Sequence, residues 1–195
     1  MPNIKEIKPD MHLKSFLAAA KAGVAKASEA LKILSASAIR MEVISAGIAP
    51  TSRLSEISGN PEDLVVGIYL NITGDIPGHT LLVFSFDSAL SLIDMVTGQQ
   101  LGTTKYIEEM EQSVLQEVGN ILTSAYLNAL SDYFGKTLIP SSPGVAIDMA
   151  AAVVDNILLN TGYFDADTLS IVTRFAGSKK SLRGFFLYIP EMNKD

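Results

Sequence analysis

The chain contains no cysteine, no tryptophan and only two histidines among its 195 residues. The missing cysteine excludes disulfide bonds and cysteine-ligated metal sites. Because His12 and His79 are the only histidines, a Ser-His-Asp triad or a histidine-rich metal site is nearly excluded. Apolar runs long enough to span a bilayer are also missing. Basic residues number 15 against 21 acidic ones, and this excess of negative charge argues against nucleic acid as a partner.

The familiar phosphate-binding and nucleophile motifs are absent too, since neither Gly-x-Gly-x-x-Gly, a Walker loop nor Gly-x-Ser-x-Gly occurs. Hydrophobic residues make up 48% of the chain and charged residues 18%, which predicts a sizeable aliphatic core. The N-terminus lacks the continuous apolar segment of a secretory signal. We therefore expect a soluble, cytoplasmic protein that forms one domain over residues 1–195 and does not insert into membranes.

Hydrophobic periodicity predicts an alternation of helices and short strands. The predicted helices cover residues 11–38, 89–96, 104–134 and 147–160, and the predicted strands cover 39–48, 64–73, 79–86, 169–175 and 182–189. Residues 137–142 are predicted to form a short strand and a turn bounded by proline. Asp87 or Ser88 is expected to cap the second helix, and Asp148 the fourth. Asp94 and Asp155 are expected to face solvent or to cap, and His79 to be an exposed structural residue at a hairpin turn.

The order of these elements repeats. A long helix, a strand, a loop and a two-stranded hairpin occur in residues 11–87 and again in 106–189. We predict an α+β fold, layered α/β, in which two similar halves of roughly 11–98 and 104–190 share one mainly antiparallel sheet about a pseudo-twofold axis. The long helices pack on that sheet.

The strongest helical pattern, near 104–134, carries an unusual outer stripe. Ser113, Glu117 and Asn120 fall within a narrow sector of the helix, and no basic residue occurs between Ile107 and Tyr133. A helix that only covers a core presents Lys, Arg and Glu outward. Taken singly, Glu117 and Asn120 are most simply ordinary exposed residues. The pattern Ser-x-x-x-Glu-x-x-Asn makes the stripe the best functional lead in the chain.

A proline, Pro143, follows Asn120 after the 22 residues 121–142. With this spacing, the chain resembles the CheC/CheX/FliY family of chemotaxis phosphatases, in which a Ser or Asp, a Glu, an Asn and a Pro stand at these positions. The flanking segments, Gln-Glu-Val-Gly-Asn-Ile-Leu at 116–122 and Pro-Gly-Val-Ala-Ile-Asp-Met-Ala at 143–150, are similar to those of CheC in particular. The doubled organisation extends the resemblance over nearly the whole chain.

The resemblance implies a phosphatase that hydrolyses the aspartyl phosphate of a CheY-like response regulator in chemotaxis. It implies that Glu117 and Asn120 are catalytic and that Ser113 and Pro143 bind the partner. No metal or cofactor of its own is expected, because Mg²⁺ is bound by the regulator. A carboxamide can orient a water molecule, since it accepts one hydrogen bond and donates another. Glu117 can pair with a cation of the partner.

The first half departs from the family pattern. Aligning the two long helices puts Ala18 where the Glu would be, Lys21 where the Asn would be, and Ile44 where the Pro would be. We therefore expect one site only. The alternative function is a non-catalytic chemotaxis adaptor that binds CheD or a component of the flagellar switch. The intact pair Glu117 and Asn120 favours the phosphatase.

Overall fold

The computed structural model of the chain describes residues 9–35, 39–50, 60–161, 167–176 and 182–191. Within these ranges the helices and strands are α1 (Pro9–Ser35), β1 (Arg40–Pro50), β2 (Leu64–Gly74), β3 (Gly78–Ser85), α2 (Phe86–Val96), α3 (Glu109–Phe134), β4 (Leu138–Pro140), β5 (Gly144–Met149), α4 (Ala150–Thr161), β6 (Asp167–Ala176) and β7 (Gly184–Pro190). No helix in this part of the chain is long and apolar enough to cross a membrane.

The seven described strands form one antiparallel sheet in the order β1-β6-β7-β3-β2-β4, and β5 also pairs with β2. Strands β4 and β5 lie one after the other along β2. Leu138 pairs with Gly74 near the end of β2, whereas Met149 pairs with Leu64 at its start. The predicted hairpins 64–86 and 169–189 are confirmed as the pairs β2–β3 and β6–β7.

Helices cover both faces of the sheet. On one face, α1, α2 and α3 pack on Val66, Ile68 and other buried residues of β2, β3 and β7. We call it the helix-pair face, after the two long helices α1 and α3, which pack against each other there. Alternate residues of the same strands point the other way, towards α4. Helix α3 comes very close to the sheet, since a Cβ added at Gly119 would lie 2.5 Å from Cγ2 of Ile68. The predicted α+β fold is confirmed.

The predicted helix 147–160 and its cap at Asp148 are wrong at their start. Residues 144–149 form strand β5, and the helix begins only at Ala150. Two carbonyl groups from the turn before β2 satisfy its first amides, because Ala150 N–H donates to the Asp63 carbonyl at 2.9 Å and Ala151 N–H to the Pro61 carbonyl at 3.1 Å. These carbonyls come from far away in the sequence, so no local side-chain cap is needed.

The predicted start of the second helix and its cap at Asp87 or Ser88 are also wrong. Helix α2 begins at Phe86, and Ser85 occupies the N-cap position. The Ser88 hydroxyl lies inside the helix, where it accepts a hydrogen bond from the Arg183 backbone N–H at 2.9 Å. The hydroxyl therefore ties α2 to the segment that leads into β7, and does not cap the helix. The predicted end near Thr97 is confirmed.

The sheet is consistent with two related halves. Exchanging β1 with β5, β2 with β6 and β3 with β7 turns the order β1-β6-β7-β3-β2-β5 into its own reverse. Helices α1 and α3 pack against each other, and a Cβ added at Gly23 of α1 would lie 2.6 Å from the Tyr126 ring. The boundaries of the halves, 11–98 and 104–190, and the single domain over 1–195 stay predictions.

Candidate functional site

Helix α3 carries the stripe, and its ends are well defined. At its start the Glu108 backbone N–H donates to the Glu111 carboxylate at 3.0 Å, which satisfies one free amide of the first turn. At its end Gly135 adopts a left-handed conformation with φ of 61° and donates its N–H to the Ser131 carbonyl. One face of the helix is buried on the helix-pair face of the sheet, so the opposite side faces solvent.

A buried carboxylate fixes the approach to α3. Asp94 in α2 is 0% exposed and accepts hydrogen bonds from the backbone N–H groups of Gly102 at 2.6 Å, Thr103 at 3.1 Å and Thr104 at 2.9 Å. Burial alone would raise the pKa of this carboxyl, but the hydrogen bonds from Thr104, Gly102 and Thr103 outweigh burial and lower it.

The expectation that Asp94 faces solvent or caps is therefore wrong, because the carboxylate is buried against the loop that precedes α3. Helix α3 begins at Glu109 rather than near 104, and residues 102–104 instead lie in the loop whose backbone N–H groups bind Asp94. Asp155 is exposed, as expected.

The three stripe residues lie together on the outer side of α3. Ser113 and Glu117 are exposed and Asn120 is partly exposed. The Ser113 hydroxyl donates to the Glu109 carbonyl at 2.9 Å, so its oxygen can still accept a hydrogen bond. Among the described residues, the side chains of Glu117 and Asn120 have no hydrogen-bond or ion-pair partner. A carboxylate and a carboxamide, one turn apart, are thus both available to another molecule.

The turn that contains Pro143 is tied to the same helix. Nε2 of Gln116 donates to the Pro143 carbonyl at 3.1 Å. Ser141 holds the other side of the turn, because its backbone N–H donates to the Asn71 carbonyl at 2.7 Å and its hydroxyl accepts the Asn71 N–H at 3.0 Å. Gln116 lies one turn before Asn120, so Pro143 borders the stripe.

Sequence reasoning missed Gln116. Its partner is 27 residues away, and a glutamine beside the motif looks like any polar residue of an exposed helix. The prediction that the Pro143 ring itself lies beside the Asn120 side chain stays a prediction.

Helix α1 repeats the burial pattern of α3 without its stripe. Phe16, Ala19 and Ala20 are buried as Leu115, Val118 and Gly119 are, in the same relative positions. Ala18 and Lys21 are exposed, where α3 has Glu117 and Asn120. The agreement in burial supports the alignment on which the loss of a first site depends.

His79 is buried, so the expectation of an exposed histidine is wrong. It is 8% exposed, and its Nδ1 lies 2.9 Å from Oδ1 of Asn71 and 3.0 Å from the Tyr69 hydroxyl. Burial lowers the pKa of His79, and the Glu191 carboxylate, 3.4 Å from Nε2, partly opposes this. The histidine supports Asn71, whose backbone holds the turn before Pro143. In the part of the chain that the structure describes, no three His, Asp or Glu side chains come together as a metal site.

Comparison with known proteins bears on this same segment. Residues 110–147, which contain the stripe and Pro143, match the model of the CheC-like family. The chain is also 33% identical over 127 residues to the CheY-P phosphatase CheC of Bacillus subtilis, an alignment that covers 62% of this chain and 59% of that protein. The resemblance to the CheC/CheX/FliY family is confirmed.

Several solved structures have a similar fold. FliY of Thermotoga maritima superposes with a TM-score of 0.71 at 16% identity, covering 95% of this chain and 92% of that one. CheX of Desulfovibrio desulfuricans gives a TM-score of 0.58 at 17% identity, over 89% and 99% of the two chains. A CheX-CheY-BeF3-Mg complex from Borrelia burgdorferi gives 0.55 at 16% identity, over 91% and 97%.

Proposed function

We propose that this protein accelerates hydrolysis of the aspartyl phosphate on a CheY-like response regulator, through one site on α3. The observation that carries the proposal is the pair Glu117 and Asn120, one turn apart on an exposed helix face, whose side chains have no partner among the residues that the structure describes. The turn at Pro143 borders them and is tied to the helix by Gln116. The similarity to a protein named as a CheY-P phosphatase supports the same reaction.

The reaction requires positioning more than covalent chemistry. A water oxygen attacks phosphorus in line, the bond between phosphorus and the aspartyl oxygen breaks, and the products are inorganic phosphate and a free carboxylate on the regulator. Asn120 accepts one hydrogen bond from the attacking water and donates another to the phosphoryl group, so it orients the water without adding charge. This chain supplies no nucleophile.

Glu117 has a different task. It pairs with a cation of the regulator's active site and sets the register of α3 over the aspartyl phosphate. Ser113, one turn earlier, and Pro143, at the border, contact the regulator around the reacting atoms. The Mg²⁺ that neutralises the phosphoryl oxygens belongs to the regulator, in keeping with the CheX-CheY complex that holds BeF3 and Mg. We expect the reaction to take place in the cytoplasm.

The alternative is an adaptor that binds CheD or a flagellar-switch component without hydrolysis. A FliG-FliM complex from H. pylori contains a chain with the same fold, at a TM-score of 0.66 and 12% identity, over 94% of both chains. Glu117 and Asn120 distinguish the two functions, because an adaptor has no use for a water-positioning pair. Both roles are compatible with one molecule if the partners bind different surfaces.

The lifetime of a phosphorylated CheY-like regulator, measured with and without this protein, tests the proposal. We expect substoichiometric amounts of the protein to shorten that lifetime, because each molecule turns over repeatedly. An unchanged lifetime, together with tight binding of CheD or of a switch protein, would support the adaptor instead.

A further inference from the structure

We infer that the regulator also docks on an apolar surface beside the stripe, formed by the start of α3 with the segment before it, the start of β2 and the end of β5. The inference rests on the proposed function and assigns a binding surface to that same site. The apolar docking surface comprises Tyr106, Met110, Leu64, Ile147 and Met149, all of them exposed.

The β5 part of this surface faces the same side of the sheet as α3. Val145 pairs with Ile68, Ile147 with Val66, and Met149 with Leu64. Paired residues of neighbouring strands point to the same face, and Val66 and Ile68 are buried on the helix-pair face. Val145 packs against that core, whereas Ile147 and Met149 continue the same row beyond it and are exposed.

The start of α3 lies at the same end of the sheet. Gly119 contacts Ile68, and the C-terminal end of α3 leads into Leu138, which pairs with Gly74 at the end of β2. Helix α3 therefore runs in the same direction as β2. At the rise of a helix, Met110 lies about 13 Å before Gly119 along α3, and at the rise of a strand, Leu64 lies about 13 Å before Ile68 along β2. Met110 and Leu64 are therefore displaced by the same distance, and in the same direction, from the contact between Gly119 and Ile68.

The surface is continuous with the stripe. Met110 is 62% exposed and lies one turn before Ser113, so a partner that reaches Glu117 also covers Met110. A stable interface needs about 800 Å² from each partner, far more than three polar side chains provide. Several large apolar side chains exposed beside a proposed site are typical of such interfaces.

The surface is also held in place before any partner arrives. The three hydrogen bonds from backbone N–H groups to buried Asp94 fix residues 102–104, which lead directly to Tyr106. An ordered approach to α3 lowers the entropy lost when its exposed residues bind a partner. Helix α3 itself has no basic residue up to Tyr133, so apolar contact rather than attraction to the phosphate must supply the docking energy.

The test measures the affinity for a CheY-like regulator loaded with beryllofluoride and Mg²⁺, using Asn120→Ala protein, in which binding is separated from hydrolysis. We expect Met110→Ser with Met149→Ser to raise the dissociation constant about tenfold. In the background with Asn120 intact, the same changes should raise KM and leave kcat within a factor of about two.

Two matched controls decide the outcome. Ile139 is 54% exposed on the same sheet edge, but it points away from its buried neighbour Leu138 and so lies on the opposite face. Tyr133 is exposed at the far end of α3. Ile139→Ser and Tyr133→Ser should leave the affinity for the regulator unchanged.

Two outcomes would overturn the docking surface while hydrolysis by the wild type still stands. One is an unchanged affinity in the variant with both methionines replaced, and the other is an equal loss of affinity in the controls. A wild type that does not shorten the regulator's phosphorylated lifetime would overturn the proposed function instead.

Discussion

Helices α1 and α3 are buried in the same pattern but present different side chains to solvent. Both bury the same pattern of positions on the helix-pair face of the sheet and pack against each other. Outward, α1 presents Lys14, Ala18 and Lys21, where α3 presents Ser113, Glu117 and Asn120. In both helices the buried face is constrained by packing, whereas the exposed face is free to differ, and the proposed site lies on the exposed face of α3.

The two halves also differ in the segment that lies beside this exposed helix face. In the second half Gln116 fastens the turn at Pro143 to α3, and Ser141 fastens it to β2. In the first half the position equivalent to Pro143 is Ile44, an exposed residue where the register of β1 shifts. The first half therefore keeps the packing of the second, but it has Ala18, Lys21 and Ile44 where the proposed site has Glu117, Asn120 and Pro143.

The largest expected effect comes from removing the amide that α1 lacks. Asn120→Ala should return the lifetime of the phosphorylated regulator to that of the regulator alone, a loss of at least about 100-fold in kcat/KM. Because the side chain is partly exposed and has no partner among the described residues, stability should change by about 0.5 kcal/mol or less. Asn128→Ala, an exposed asparagine on the same helix, is the control and should be fully active. Near-normal activity in folded Asn120→Ala would rule out the water-positioning role.

Removing the carboxylate should have a smaller effect, concentrated in KM. Glu117→Gln keeps the size of the side chain and loses the charge, so the productive complex weakens by about tenfold while kcat changes less. The loss should be larger at low regulator concentration and at low salt, where the charge pair contributes most. Asp132→Asn, the same change of charge at the far end of α3, should have no effect. A fall in kcat without a change in KM would assign Glu117 to the chemical step.

Most of the fold could be predicted from the sequence, because most of its helices and strands have a local hydrophobic periodicity. Amphipathic α1 and α3, with apolar residues at helical spacing, lie close to their predicted ranges, and so do the strands that alternate or are β-branched. The errors at the starts of α3 and α4 share one cause. The first backbone N–H groups of α4 donate to the carbonyls of Pro61 and Asp63. Backbone N–H groups of the loop before α3 donate to the buried carboxylate of Asp94. These partners are distant or buried, and local capping rules cannot find them.

In the candidate site, too, the features that depend on local residue spacing could be predicted, and those that depend on distant contacts could not. Ser113, Glu117 and Asn120 share a helix, so their common face followed from residue spacing alone. The position of Pro143 relative to that helix depends on how the chain returns along β2, and only the resemblance to a family linked the two. Gln116, which makes the physical link, was invisible because a hydrogen bond over 27 residues has no periodic signal.

The border of the site should matter less than its two central residues. Gln116→Ala removes the donor to the Pro143 carbonyl and should lower kcat about threefold to tenfold, as the turn shifts relative to Asn120. Gln116→Glu should lose as much, because a carboxylate cannot donate to a carbonyl. Pro143→Ala, which loosens the backbone of the turn, should lower activity partially and leave melting nearly unchanged. Full activity in both Gln116 variants would show that the border is only structural.

The smallest effect is expected in the first half. Lys21→Ala should leave activity unchanged, since α1 has Ala18 and Lys21 where α3 has Glu117 and Asn120. Equal losses from Lys21→Ala and Asn120→Ala would mean that α1 takes part in the reaction, and the single-site interpretation would be wrong.

The reverse experiment sharpens the comparison. Ala18→Glu with Lys21→Asn, introduced into Asn120→Ala protein, rebuilds the pair on a helix with matching burial. We expect hydrolysis barely above that of Asn120→Ala, because Ile44 supplies no border like that of Pro143 and Gln116. Adding Ile44→Pro should raise the rate further only if the proline shapes the turn by itself. Recovery to wild-type rates by the pair alone would show that the border contributes nothing, and that a carboxylate and an amide on a packed helix are sufficient for the reaction.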